Sequence, residues 1–122
     1  MSTVDLTQDN FEDVIQKNAM VLVDFWAPWC GPCRAFAPVY EAASDQHADV
    51  VFAKVNTEDQ QELAAAFQIR SIPTLMLFRD QIILFSQPGS LPGSALEDVL
   101  AKAKALDMDM VRKEIAEQST TA

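Results

Sequence analysis

Two cysteines three residues apart constrain this chain more than any other feature. Cys30 and Cys33 are the only cysteines among its 122 residues, and they closely follow the apolar run Met20-Val21-Leu22-Val23-Asp24-Phe25-Trp26. A run of that length and composition predicts a buried strand. Beyond Cys33, the residues Phe36, Val39, Tyr40 and Ala43 recur at helical spacing. The cysteine pair therefore lies where a strand hands over to the N-terminus of a helix. Unpaired backbone N–H groups and the positive end of the helix dipole favour thiolate there. Thiolate is the nucleophilic form, so the placement predicts a reactive thiol.

Other uses of two cysteines fit less well. A structural disulfide closing so short a loop would gain little entropy. A closed zinc site wants four ligands, and only His47 could add a nitrogen ligand. His47 lies at the far end of the predicted helix, about 20 Å away along its axis, and reads as a surface histidine. No metal site is expected, although a cluster shared between two chains through Cys30 and Cys33 is formally open. In a reducing compartment, Cys-x-x-Cys beside a strand–helix–strand pattern reads as redox-active.

The totals bound the class of molecule. A chain of 122 residues makes one domain with one core. Its net charge of −9 argues against nucleic acid and against anionic membrane surfaces, which attract basic patches. No stretch is long and apolar enough to span a membrane. The opening Met1-Ser2-Thr3-Val4-Asp5-Leu6 lacks the basic-then-apolar pattern of a signal peptide. The expectation is a cytoplasmic protein whose thiols are kept reduced.

Read in order, Val4 to Leu6 predicts a short edge strand. Phe11, Val14 and Ile15 predict a helix capped by Asp9 with Glu12. The strand 20–26 and the Cys-x-x-Cys helix to about His47 follow, with Pro38 inside that helix. Val50–Val55 is the next strand. Thr57 with Gln60 reads as a capping box for a helix burying Leu63, Ala66 and Phe67. Thr74–Phe78 and Ile82–Phe85 form a hairpin around Arg79-Asp80-Gln81. A last helix starts near Pro92 to Ser94 and buries Leu96, Val99, Leu100 and Ala103. The order β-α-β-α-β-α-β-β-α predicts an α/β fold, a mixed central sheet of four to five strands with helices on both faces. Residues 1–106 form that domain. Residues 107–122 form a helical extension, capped by Asp107 and with Met108, Val111 and Ile115 on one face, whose tail frays from Gln118.

The stretch Phe25-Trp26-Ala27-Pro28-Trp29-Cys30-Gly31-Pro32-Cys33-Arg34 resembles the active-site signature of the thioredoxin family. Asp24, Lys54, Pro38 and Ile72-Pro73-Thr74 also fall where that family has its marks, and the resemblance covers about residues 4–104. It implies the thioredoxin fold with strand 20–26 central. It also implies protein-disulfide reduction without a bound cofactor, by a monomer recycled by a flavin-containing, NADPH-dependent thioredoxin reductase. Within it, Cys30 is expected to be the accessible nucleophile and Cys33 the buried resolving thiol. Gly31-Pro32 keeps the turn tight and adds no charge, which favours a reductant over an oxidant or isomerase. Asp24 is costly in a buried strand. It reads as a core acid paired with Lys54, as an outward-facing residue, or as the proton acceptor for Cys33, and the resemblance favours the last. A cis bond before Pro73 is implied, with Trp29, Ile72, Pro73 and Gly89 lining a shallow substrate groove and Trp26 supporting the core. The chain departs from the family at the Asp80-Gln81 turn, at Pro88 before Gly89, and in the extension. A competing reading is an interaction or chaperone module of the same fold whose cysteines are incidental.

Overall fold

The computed structural model describes residues 3–120. Among these residues five strands and five helices follow in the order β1 (Thr3–Asp5), α1 (Phe11–Lys17), β2 (Met20–Trp26), α2 (Gly31–Gln46), β3 (Val51–Asn56), α3 (Gln61–Ala66), β4 (Thr74–Arg79), β5 (Ile82–Pro88), α4 (Gly93–Ala105) and α5 (Met108–Thr120). The sheet order is β1-β3-β2-β4-β5. β3 runs parallel to β1 and β2, while β4 is antiparallel to both β2 and β5. The central strand β2 is thus covered on both faces, which is why it reads as a nearly unbroken apolar run.

Alternation along the strands splits the core into two layers. Val21, Val23 and Phe25 face α1 and α3, where Phe11, Ile15 and Leu63 meet them. Met20 and Leu22 face α2 and α4, where Phe36, Tyr40, Leu96 and Leu100 meet them. Asp24 continues the second series, so its side chain lies on the α2 side of the sheet.

Several local expectations are corrected. α1 takes Asn10 as its N-cap residue without a side-chain cap, and Asn10 Oδ1 instead accepts from the Thr7 N–H at 2.7 Å. The Thr57–Gln60 capping box does not form. The Thr57 hydroxyl donates to the Trp26 carbonyl at 3.0 Å, and α3 starts at Gln61 without a side-chain cap. α3 buries Leu63 and Ala64, whereas Ala66 is exposed and Phe67 half-buried. His47 caps the end of α2 and is half-buried rather than on the surface. Its Nε2 lies 2.7 Å from a Glu97 oxygen, and its Nδ1 lies 2.9 Å from Lys104 Nζ.

The hairpin between β4 and β5 turns through Asp80 (φ 51) and Gln81 (φ 68). Both residues occupy the left-handed region that such a tight turn demands and that glycine or asparagine enters more easily. Gln81→Gly is expected to raise stability by about 0.5–1 kcal/mol. A urea midpoint unchanged or lowered would show that the Gln81 side chain offsets its backbone strain.

Past α4 the chain turns at Leu106 and continues as α5. Asp107 Oδ1 accepts from the N–H groups of Asp109 (3.0 Å) and Met110 (3.3 Å). Met108 is buried, Val111 half-buried and Ile115 exposed. Arg112 reaches Asp80 at 3.3 Å, so α5 docks at the hairpin turn. The helix runs to Thr120, past the expected fraying point at Gln118, and Thr121 and Ala122 lie outside the described residues. Truncation after Leu106 is expected to lower stability by about 1–2 kcal/mol, mostly from Met108. Disulfide reduction should be unaffected, because the Asp80 turn lies at the opposite end of β4 from Pro73. A large activity loss in an insulin-reduction assay would place the extension in contact with the site or with a partner.

Candidate active site

The end of β2, the start of α2 and the loop before β4 converge on the cysteine pair. Cys30 is the N-cap residue of α2 in extended conformation (φ −83°, ψ 113°), and its Sγ accepts from the Cys33 N–H at 3.2 Å. Pro32 follows in the first turn, where a missing N–H costs nothing. Cys30 and Cys33 are joined as a disulfide, with Cα atoms 5.2 Å apart. The sulfur of Cys30 is thus held on one of the backbone donors that the helix start leaves unpaired.

The expected contrast in accessibility is not present in this oxidised form. Cys30 is 4% exposed and Cys33 is 2% exposed. Both cluster with Ala27, with Trp26 and Ile72 closing over them. The asymmetry lies instead in what each sulfur faces. Cys30 Sγ lies 3.7 Å from the Ile72 carbonyl oxygen, at the rim. Cys33 sits one helical turn inward, toward the sheet. Gly31 and Pro32 are exposed between them, as is Arg34.

The rim is assembled from three loops. Trp29, 64% exposed, precedes Cys30. The Ile72–Pro73 peptide bond is cis, and the Pro73 carbonyl accepts from the Gly89 N–H at 2.7 Å. Gly89 has φ +98, which a side chain would resist although open space surrounds it. Pro88 pairs with Thr74 at the end of β5 and directs the chain into this contact. Trp29, Ile72, Pro73 and Gly89 are therefore brought to one edge of the disulfide, even though Ile72 is 42 residues from Cys30.

Asp24 is 1% exposed, and neither carboxylate oxygen has a hydrogen-bond partner. The ion pair with Lys54 does not form. The two residues stand opposite each other in the β2–β3 register, but the Lys54 ammonium lies over the Trp26 ring, 4.4 Å from its centroid. Burial raises the Asp24 pKa from 3.8 to about 7, and the nearby Lys54 charge only partly opposes this. Trp26 is half-buried, and its indole Nε1 is also without a partner. One side chain that sequence reading took as purely apolar also reaches this region. Tyr40, from α2, sets its hydroxyl against the Leu22 and Ala53 carbonyls. No periodicity argument can see that hydroxyl, because a tyrosine and a phenylalanine score alike.

Among the described residues, no three His, Cys, Asp or Glu side chains gather closely enough to hold a metal ion. No helix among them is long and apolar enough to cross a membrane.

Among known families, the model described as thioredoxin matches residues 2–102. A Streptomyces coelicolor relative named among the thioredoxins is 57% identical over 121 residues, covering 99% of this chain and 90% of its own length. The thioredoxin of Alicyclobacillus acidocaldarius is 46% identical over 101 residues, covering 82% of this chain and 96% of the relative. Among solved structures, a point mutant of a thioredoxin from Halobacterium salinarum superposes with a TM-score of 0.80 at 34% identity. That match covers 87% of this chain and 94% of the other.

The raised Asp24 pKa makes stability depend on pH. From about pH 4 to 7 the folded protein holds a proton that the unfolded chain has released. Stability therefore falls as pH rises through that window and levels off above it. Asp24→Asn is expected to abolish this slope. The variant's advantage should grow to at most roughly 4 kcal/mol above pH 7, less the cost of burying an amide. Equal urea midpoint gains at pH 5 and pH 8.5 would show that Asp24 is ionised throughout.

Proposed function

The chain belongs to the thioredoxin family, and from that premise we propose how its residues divide the reaction and where it works. It has the thioredoxin fold, and it is a thiol–disulfide oxidoreductase acting as a disulfide reductase. The family acts with disulfide substrates and with thioredoxin reductase.

In the proposed cycle the dithiol form starts with Cys30 as thiolate. It attacks one sulfur of a substrate disulfide. That S–S bond breaks, the leaving sulfur takes up a proton, and Cys30 is left in a mixed disulfide. Cys33 then passes its proton to the Asp24 carboxylate and attacks Cys30 Sγ. The second substrate thiolate leaves, and the Cys30–Cys33 disulfide forms. Two electrons have moved from the cysteine pair to the substrate, and thioredoxin reductase restores the dithiol in the proposed cycle.

One observation carries the order of attack. Cys30 Sγ lies at the rim, 3.7 Å from the Ile72 carbonyl, with the Cys33 N–H behind it. An extended substrate segment lying along Ile72 and Pro73 meets Cys30 first. Trp29, Gly31, Pro32 and Gly89 complete the groove, and Lys54 and Trp26 support Asp24 from beneath. The mostly uncharged rim suits varied protein disulfides rather than one charged ligand. We place the protein in the cytoplasm as a monomer without a bound cofactor, its catalytic unit being residues 1–106 and residues 107–122 an accessory segment.

Insulin reduction with dithiothreitol as electron source tests this assignment. Cys30→Ser is expected to reduce the rate to background. Cys33→Ser should accumulate a mixed disulfide with insulin, recoverable on a non-reducing gel. If Cys30→Ser traps substrate and Cys33→Ser does not, the two roles are exchanged. A wild-type protein without activity would leave an interaction module with incidental cysteines.

A further inference from the structure

Tyr40 is fully buried, and its hydroxyl oxygen lies 2.9 Å from the Leu22 carbonyl oxygen and 2.7 Å from that of Ala53. A phenol has one proton to donate, so the two carbonyls share it. In the β2–β3 register Val23 stands opposite Ala53, and Asp24 opposite Lys54. The hydroxyl therefore sits on the seam between these strands, one residue before Lys54 and two before Asp24. Filling the core does not require it. The ring alone makes the contacts with Phe36 and Phe52, at centroid distances of 5.7 and 5.2 Å.

The same helix face carries Cys33, Phe36, Tyr40 and Ser44. Cys33 and Tyr40 are two turns apart, about 10.5 Å along the axis. Leu22 and Asp24 share a strand face about 6.6 Å apart. α2 runs back over β2 from the strand's C-terminal end. A helix pinned at Leu22 thus carries Cys33 over the stretch from Asp24 to Ala27, and Cys33 does cluster with Ala27 and Trp26.

We propose that Tyr40 is a positioning residue for the resolving step. By bonding the Leu22 and Ala53 carbonyls it sets the height and register of α2 over β2, and with them the Cys33-to-Asp24 spacing across which the proton moves. This rests on the reading of Asp24 as proton acceptor. The groups whose charge or hydroxyl interacts with Asp24 are Lys54 from β3 and Tyr40 from α2, and Cys33 lies on the same buried face of α2 as Tyr40. β4 sets Leu75 opposite it, and the buried face of α4 is apolar. Burial, reinforced by the Asp24 charge, holds the Tyr40 phenol well above its ordinary pKa. It remains a hydrogen-bond donor at every pH where the protein works and does not itself carry the proton.

Tyr40→Phe keeps the ring and removes the hydroxyl. The resolving rate, followed by tryptophan fluorescence from a preformed Cys30 mixed disulfide, is expected to fall about threefold or more. The midpoint of its pH profile should shift by on the order of half a unit. Leu100→Ala loosens the same core without touching the seam and should lower Tm while leaving that midpoint in place. In the wild-type protein, the Tyr40 Cζ resonance should titrate with the midpoint of the Asp24 carboxyl, a readout independent of any variant's folding. An unchanged midpoint in Tyr40→Phe, an equal shift in Leu100→Ala, or a flat Cζ titration would each overturn the proposal. Asp24→Asn separates the two readings. If it leaves the resolving rate intact, the acceptor role fails and takes this proposal with it. If it slows that rate while Tyr40→Phe does not, only the role of Tyr40 fails.

Discussion

A carboxyl group without a hydrogen-bond partner lies in the middle of the sheet, and the order of the strands decides its state. Burying a carboxylate costs several kcal/mol unless it is paired or neutralised. Asp24 takes the second course, with burial raising its pKa to about 7. That state needs a central strand covered on both faces. β2 provides it, flanked by β3 and β4 and lying beneath α2. On an edge strand water would reach the carboxyl and the shift would collapse. The buried acid and the sheet order are thus one constraint seen from two sides.

The two sulfurs are treated by different physics although only three residues separate them. Cys30 is served by backbone: it occupies the N-cap position and takes the Cys33 N–H. Such a donor is fixed by the helix itself and does not titrate, so the help it gives is the same at every pH. Cys33 has no such donor, and on the proposed cycle its proton goes to a side chain whose state changes near neutrality. The asymmetry expected from exposure is carried by chemistry, since both sulfurs are nearly buried in the disulfide form.

Much of this was legible in the sequence because the informative residues sit in strong patterns. The bounds of β2 fall where its apolar run does. Cys30 heads α2 because glycine and proline directly follow it, and the mixed sheet follows from the order of elements. What was not legible involves competition between nearby groups. Asp9 with Glu12 and Thr57 with Gln60 both fit a capping pattern, yet Asn10 bonds Thr7 and the Thr57 hydroxyl bonds Trp26. Thr57 had an acceptor 31 residues away that only the tertiary fold supplies, whereas Asn10 took a donor three residues back in place of capping the helix. Leu63 and Phe67 face the core as expected, and the position beside them that is buried is Ala64 rather than Ala66, since both flank the same helical stripe. Lys54 was within reach of Asp24 by register, but its longer reach to an aromatic face could not be read from spacing. The hairpin closes through Asp80 and Gln81 at positive φ because antiparallel pairing on both sides of the turn outweighs the local strain.

In the proposed cycle, the position of Lys54 bears on whether Asp24 can take the thiol proton. A direct ion pair would draw the carboxyl down toward the ordinary acid range, leaving it ionised but too weak a base to take a thiol proton readily. With no cation nearby, burial alone would push it higher and leave it protonated and unable to accept. The ammonium stands over the Trp26 ring at 4.4 Å, close enough to oppose part of the burial effect without making a bond. Attraction to the ring stabilises the cation in that intermediate place. Trp26 thus presents its ring face to the Lys54 ammonium. Its own position is fixed from β3's far end, where the Thr57 hydroxyl and N–H both donate to its carbonyl. The near-neutral acidity of Asp24 is thus set by burial and trimmed by an ammonium that never touches its carboxyl oxygens.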